Sequence, residues 1–243
     1  MEINIQNKGE ITILKDIILP LQSSKVIFIT GQADSGKTAM LETIKRYIDK
    51  KDISNFLIKQ QDDFHNETVI EEIKTNQTKK EINRIISSLK IAELEQKYLN
   101  KKINTLSTSE RQKLKLAKAL YLNPHIILID DIFSSFDQTT TNKLVKLIKM
   151  MKNRYKKTII IATTNSEIIH QLADEVFLID KGVIIFKGNK YELFENEKLI
   201  KKYGIRCPEV MEISNIIKKE KNVEIGYRDN INDLIKDIYR YIR

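Results

Sequence analysis

Short apolar runs alternate with amphipathic stretches along this chain. Val26-Ile27-Phe28-Ile29, Asn55-Phe56-Leu57-Ile58, His125 to Ile129 and Thr158 to Ala162 are almost without polar positions. That is the pattern of strands covered on both faces. Ala39 to Ile48 and Lys143 to Tyr155 read as helices. Ile82, Ile85, Ile86 and Leu89 recur at i, i+3, i+4 and i+7, one buried face of a further helix. A helix from Glu110 to Leu122 follows, with a serine or threonine just before it as the natural N-cap and Asn123-Pro124 as its stop. Val176 to Ile179 and Val183 to Phe186 flank Lys181-Gly182, a hairpin signal. Glu2 to Leu21 is mostly strand-like, and Pro20 should end its pairing. The tail is helical from Pro208 to Lys218, then again with Ile231, Leu234, Ile235 and Ile238 on one face.

This alternation predicts an α/β fold: a mostly parallel sheet with helices on both sides. The helical stretch from about Thr68 to Leu122 is too long for one crossover and predicts an inserted subdomain. The expected organisation is a core of residues 1–67 and 123–205, a helical subdomain of 68–122, and a helical extension of 206–243.

Composition narrows the setting. Of 243 residues, 41% are hydrophobic and 31% charged, so an ordinary globular core can form. No apolar run reaches membrane-spanning length, so any membrane association is expected to be peripheral. The N-terminus lacks the basic flank and apolar core of a signal peptide. Cys207 stands alone, which excludes an internal disulfide and fits a reducing cytoplasm. The net charge of +9 comes from lysines scattered along helix faces with no interleaved aromatics. A solvated surface accounts for it better than a nucleic-acid footprint, so no nucleic-acid partner is expected.

The stretch with the clearest chemistry is Gly31-Gln32-Ala33-Asp34-Ser35-Gly36-Lys37-Thr38, between an expected strand and an expected helix. This G-x-x-x-x-G-K-[ST] pattern in that context is a phosphate loop, a P-loop; the bland alternative is a chance match on a glycine turn. Successive backbone N–H groups curl around phosphate oxygens, and the helix start adds its positive end. Lys37 would reach the β- and γ-phosphates of ATP, and Thr38 would offer its hydroxyl to Mg²⁺. Downstream, a buried strand ends in Asp130-Asp131. Paired acids at a strand end are common in turns, but after this loop they read as the second half of a nucleotide site. Asp130 would hold Mg²⁺ through its water shell, and Asp131 would sit beside the attacking water.

With these motifs the chain resembles an ABC-type ATPase over nearly its whole length. Asp130 to Asp137 resembles the Walker B strand end and D-loop. Leu106-Ser107-Thr108-Ser109-Glu110-Arg111-Gln112 resembles the signature, normally L-S-G-G-[QE]. Gln60, rather than Gln61, matches the Q-loop glutamine, and Asp180 to Gly188 resembles the hairpin that closes many such cassettes. Tyr203 to Val210, followed by a helix, is similar to the C-terminal part of energy-coupling-factor (ECF) importer ATPases. The resemblance implies a P-loop NTPase of RecA-like fold, with an N-terminal antiparallel β part and an inserted helical subdomain. It also implies a dimer in which each ATP lies between the Walker motifs of one subunit and the signature of the other, Ser107 to Glu110 here. The Q-loop and helical subdomain would pass motion to an integral membrane subunit at the cytoplasmic face of the cell membrane.

The departures from the family pattern are specific. Asp131 stands where the family has a catalytic glutamate, and Thr164 where it has the switch histidine. Thr108 and Ser109 replace the two signature glycines. Asp34 occupies a loop position that is often glycine, and no aromatic residue precedes Phe28 to stack on adenine. His170, His65 and His125 read as ordinary packing or surface residues. The expectation is an ATP-binding subunit with low or partner-dependent hydrolysis, the degenerate half of a heterodimer. The alternatives are a regulatory module that never hydrolyses ATP and a soluble ABC-type ATPase acting on ribosomes or nucleic acid. A generic P-loop kinase leaves the stretch from Leu106 to Gln112 unexplained.

Overall fold

Four apolar runs and the hairpin form one six-stranded sheet. A computed structural model describes residues 24–61, 63–74, 79–221, 226, 228–229 and 231–241. The strands are β1 (Val26–Thr30), β2 (Asn55–Ile58), β3 (Ile126–Asp130), β4 (Thr158–Ala162), β5 (Glu175–Asp180) and β6 (Val183–Gly188), in spatial order β2-β3-β4-β1-β5-β6. Among the described residues all pairings are parallel except β5 with β6, which Lys181-Gly182 joins with both residues at positive φ. The expected N-terminal strands, Glu2 to Leu21, lie outside the described residues, as does Asp62 in the loop after β2.

The central strands β1, β3 and β4 are almost wholly apolar because both of their faces are covered. Ile27 and Ile29 of β1, Ile126 and Leu128 of β3 and Ile160 of β4 pack against Met40, Leu41, Ile44 and Ile48 of α1 (Lys37–Lys50). The alternate residues, Phe28, Ile127, Ile129, Ile159 and Ile161, meet the helices of the opposite face. These are α4 (Thr108–Leu122), α5 (Gln138–Asn153), α6 (Ser166–Leu172) and α7 (Lys190–Glu195), numbered in chain order. Each fully buried Ile or Phe stabilises the fold by roughly 1.5–3 kcal/mol, and a one-residue slip would exchange the two faces. Register is therefore fixed, and with it the position of every loop at the carboxyl ends of the strands.

Between β2 and β3 the described residues form helices and turns: α2 (Val69–Ile73), α3 (Lys79–Ile91) and α4. Helix α8 (Glu197–Lys202) follows α7, and two more complete the chain, α9 (Glu209–Lys221) and α10 (Ile231–Tyr241). The last two pack on each other through Val210, Leu234, Ile213, Ile217 and Ile238. The helix expected from Lys143 starts earlier, at Gln138, because the Asp137 carboxylate accepts from the Thr140 N–H and caps it.

Candidate nucleotide-binding site

Strand β1 lies mid-sheet between β4 and β5, and the Gly31–Thr38 loop leaves its carboxyl end. Gly31 sits at φ 152°, and a Cβ there would stand 2.2 Å from the Ile179 carbonyl oxygen. Only glycine lets the loop pass so close to β5. Asp34 takes the left-handed conformation at φ 59°, which an aspartate tolerates better than most residues. Ser35 is buried, and its carbonyl accepts from the Gly182 N–H at 2.9 Å, so the hairpin turn braces the loop. Gln32 and Ala33 are exposed on its outer side.

Gly36 is the N-cap of α1 and brings no side-chain cap, and the first turn holds no acid. The first N–H groups of the helix are left for an anion. By contrast, Ser107, Asp137 and Asn165 cap α4, α5 and α6 with their side chains. The Lys37 ammonium curls into the loop, donating to the Gly31 carbonyl at 3.0 Å and the Gln32 carbonyl at 2.6 Å. Burial pulls its pKa below the usual lysine value, while Asp131, Asp130 and Asp34 push the other way.

The Thr38 hydroxyl donates to Asp130, 2.9 Å from Oδ2. Burial raises the Asp130 pKa above the ordinary carboxylate value, aided by the neighbouring charges of Asp131 and Glu42 and opposed by Thr38 and Lys37. A carboxylate so placed favours a cation at its side. Hydroxyl and carboxylate oxygens suit Mg²⁺, which binds through one or two protein oxygens with the nucleotide phosphates completing its shell. No cluster of three or more His, Cys, Asp or Glu capable of holding a metal alone occurs among the described residues. Thr38 and Asp130 therefore fit Mg²⁺ that arrives with a nucleotide.

A raised folded-state pKa means that protonating Asp130 stabilises the free protein. That contribution is present below the ordinary aspartate pKa and is lost as pH rises through the raised value. Asp130→Asn is therefore expected to raise the melting temperature of the nucleotide-free chain at neutral pH while abolishing the Mg²⁺ dependence of ATP binding. Thermal melts with and without Mg-ATP check both halves.

Asp131 adopts φ 42°, and its backbone N–H donates to the Ala162 carbonyl at 2.9 Å. Its Oδ1 accepts from the Thr163 hydroxyl at 2.8 Å, and that hydroxyl accepts from the Asn165 N–H at 3.2 Å. Thr163 is fully buried at the end of β4; Thr164, the expected partner of the catalytic site, is exposed and has no hydrogen bond among those described. The sequence reading missed Thr163. Its signal was position: a hydroxyl directly after a buried strand that pairs with the strand carrying the acids.

Gln60 is likewise exposed, and its backbone is tied to α4. Its carbonyl accepts from Gln112 Nε2 at 2.7 Å, and the buried Lys115 ammonium donates to the Lys59 carbonyl at 2.9 Å and to that of Gln61. Helix α4 thus holds the end of β2 directly. Glu72, buried on α2, accepts from Lys118 of α4 and from the His65 and Asn66 N–H groups of the loop between β2 and α2. Together α1, this loop and α4 frame a groove of about 560 Å³ lined by Glu42, Arg46, Phe56, Phe64 and Lys118.

The stretch Ser107 to Glu110 forms a helix start. The Ser107 hydroxyl accepts from the Glu110 N–H, and Glu110 accepts from the Ser107 N–H at 2.8 Å, a capping box. Thr108 and Ser109 are the first two helical residues. Hydrogen bonds from the Tyr98 hydroxyl and the Ser107 N–H hold the Glu110 carboxyl below its usual pKa. No described hydrogen bond links this stretch to the chain's own phosphate loop. Ser107→Ala removes the cap and is expected to cost about 1 kcal/mol, lowering the melting temperature by about 2–4 °C. A melt of the isolated chain measures it.

His170 is buried against Tyr191 and Phe194, with ring centroids 6.3 and 6.5 Å away. Burial and the Lys190 charge lower its pKa to about 4, so it packs as a neutral ring. His65 and His125 are exposed.

This geometry defines a P-loop cassette with helices inserted before the acid-bearing strand. Residues 14–134 match the family described as ABC transporter, and the chain is a member of that family through this domain. An ABC transporter ATP-binding protein of Clostridium acetobutylicum is 31% identical over half of this chain and 43% of its own length, so the chain spans less than half of that relative. The methionine import ATP-binding protein MetN of Clostridioides difficile is 26% identical over 93% of this chain and 77% of its length. The energy-coupling factor transporter ATP-binding protein EcfA of Methanococcus maripaludis is 30% identical over 65% of this chain and 59% of its length. The ATP-binding cassette MJ0796, in a dimeric post-hydrolysis state with ADP and Pi, superposes with TM-score 0.66 at 23% identity, covering 76% of this chain and 94% of that one.

Proposed function

We propose that the chain is the ATP-binding subunit of a membrane importer of the energy-coupling-factor type, and the degenerate half of a heterodimer. One observation carries this reading. Lys37, Thr38 and Asp130 are assembled around an uncapped helix start, while the residues that would drive turnover are a shortened acid and an exposed threonine.

On this reading the loop N–H groups and the start of α1 hold the phosphates, and Lys37 exchanges the Gly31 and Gln32 carbonyls for phosphate oxygens. Thr38 and Asp130 would hold Mg²⁺, whose charge when bound would offset that of those oxygens. Asp131 orients water poorly: aspartate is one methylene shorter than glutamate, about 1.5 Å, and a ~1 Å misplacement can cost roughly a hundredfold in rate. Thr164 offers a hydroxyl and no positive charge. In a second subunit's site, Ser107 would meet the partner's nucleotide, with Thr108 and Ser109 obstructing the approach that glycines permit.

A homodimer would carry both defects in each site. A heterodimer with an intact cassette confines each defect to one site, which is why the heterodimer is preferred. The groove beside α1 and α4 is suited to a membrane subunit, because α4 also grips the end of β2 through Gln112 and Lys115. No described helix is long and apolar enough to cross a membrane; on this reading the membrane subunit is a separate protein. The tail from Tyr203 to Val210 and the EcfA relatives support the energy-coupling-factor type; the MetN relatives support a methionine-type importer as the second reading.

Purification of the tagged full chain from native membranes tests the assembly. The expected companions are a second cassette, with glutamate, histidine and glycines at the corresponding positions, and an integral membrane protein. Recovery as a lone monomer contradicts the proposal.

A further inference from the structure

We propose that the cleft between α3, the C-terminal end of α4 and the end of α5 binds an organic anion with an apolar body, of the medium-chain carboxylate class. The cleft encloses about 500 Å³, within the roughly 300–1,000 Å³ of small-molecule sites. It lies at the opposite end of β3 from Asp130: Ile127 is in its floor.

Its chemistry is one-sided. Ala119, Ile127, Met150 and Met151 supply apolar wall, and Ile91 and Tyr155 stand 46% and 51% exposed at the mouth. The charged groups that line it are Lys80, Arg84 and Lys157, and no Asp or Glu is among the lining residues. Arg84 lies over the Tyr121 ring and donates to the Tyr121 carbonyl. Lys157 is the anchor. It is only 8% exposed, and its ammonium donates to the Asn123 carbonyl at 3.0 Å. No carboxylate pairs with it among the described residues.

Capping α4 through Asn123 accounts for one of its three N–H groups. A buried ammonium is costly unless it is paired, and a carboxylate placed in the cleft supplies the missing charge. Burial lowers the Lys157 pKa with no opposing charge, in keeping with that imbalance. An occupant would touch α3 and α4 on one side and α5 and β3 on the other, fastening the inserted helices to the sheet. This inference stands apart from the nucleotide reading, since the cleft shares no residue with the phosphate loop.

The test is calorimetric titration of the full chain, without nucleotide, with decanoate, decan-1-ol and decyltrimethylammonium. Decanoate is expected to bind saturably at one site with Kd below about 100 µM, and the other two at least about tenfold more weakly. Ile91→Glu places an acid at the exposed mouth and should weaken decanoate about tenfold or more without lowering the melting temperature. Lys157→Met should do the same, and if it does not fold, Ile91→Glu alone decides. Lys37→Ala should bind decanoate like the parent. The proposal is overturned by no saturable binding up to about 1 mM, by equal affinity for decan-1-ol, by an unaffected Ile91→Glu, or by loss in Lys37→Ala.

Discussion

Lys37→Ala is expected to weaken Mg-ATP binding about 10–100-fold, measured by equilibrium titration with a fluorescent ATP analogue and Mg²⁺. A hydrogen bond to a charged group contributes roughly 1.5–3 kcal/mol, and tenfold in affinity is about 1.4 kcal/mol. Lys37 is partly desolvated and surrounded by Asp131, Asp130 and Asp34, so its loss leaves three carboxylates facing the incoming phosphates. The free chain should remain folded, because Lys37 bonds only within its own loop, to the carbonyls of Gly31 and the exposed Gln32, and holds no strand or helix in place. Unchanged affinity would mean that the loop is a relic of a nucleotide site.

The second large effect is a gain. Asp131→Glu combined with Thr164→His is expected to raise single-turnover ATP hydrolysis about 10–100-fold in the assembled dimer. The glutamate restores the reach that Asp131 lacks while tied to Thr163 at 2.8 Å. The histidine adds a cation where Thr164 is exposed. Adding Thr108→Gly and Ser109→Gly should increase turnover only in the site that uses this chain's signature. Those two glycines fall in the first turn of α4, behind the Ser107–Glu110 capping box, which should keep the helix start intact. No gain in the double variant would place the defect outside these positions.

The sheet was legible because burial on both faces leaves unbroken apolar runs; β2 and β4 fall on their expected residues. Turn chemistry carried the hairpin at Lys181-Gly182 and the stop at Asn123, whose φ of 51° is the left-handed cap that asparagine tolerates. The tight turn from Gly31 to Thr38 was legible because the motif reports backbone geometry: Gly31 and Gly36 both sit at positive φ. Contacts between segments far apart in sequence were not. Thr163 meets Asp131 only because β3 and β4 pair in parallel, with Asp130 opposite Ala162. Gln112 and Lys115 bond backbone carbonyls, which no side-chain pattern near Gln60 announces. The capping box at Ser107 was half visible, since a serine or threonine cap was expected but the reciprocal Glu110 bond was not.

On the proposed reading this chain keeps ATP binding and has relaxed its turnover. A single-turnover assay on the purified full chain, mixed in excess with Mg²⁺ and radiolabelled ATP, separates the two. The bound nucleotide should be recovered as ATP from the chain alone, with cleavage emerging only alongside a partner cassette. Conversion to ADP at about 1 s⁻¹ or faster by the chain alone, within the ordinary range of enzyme turnover, would contradict it.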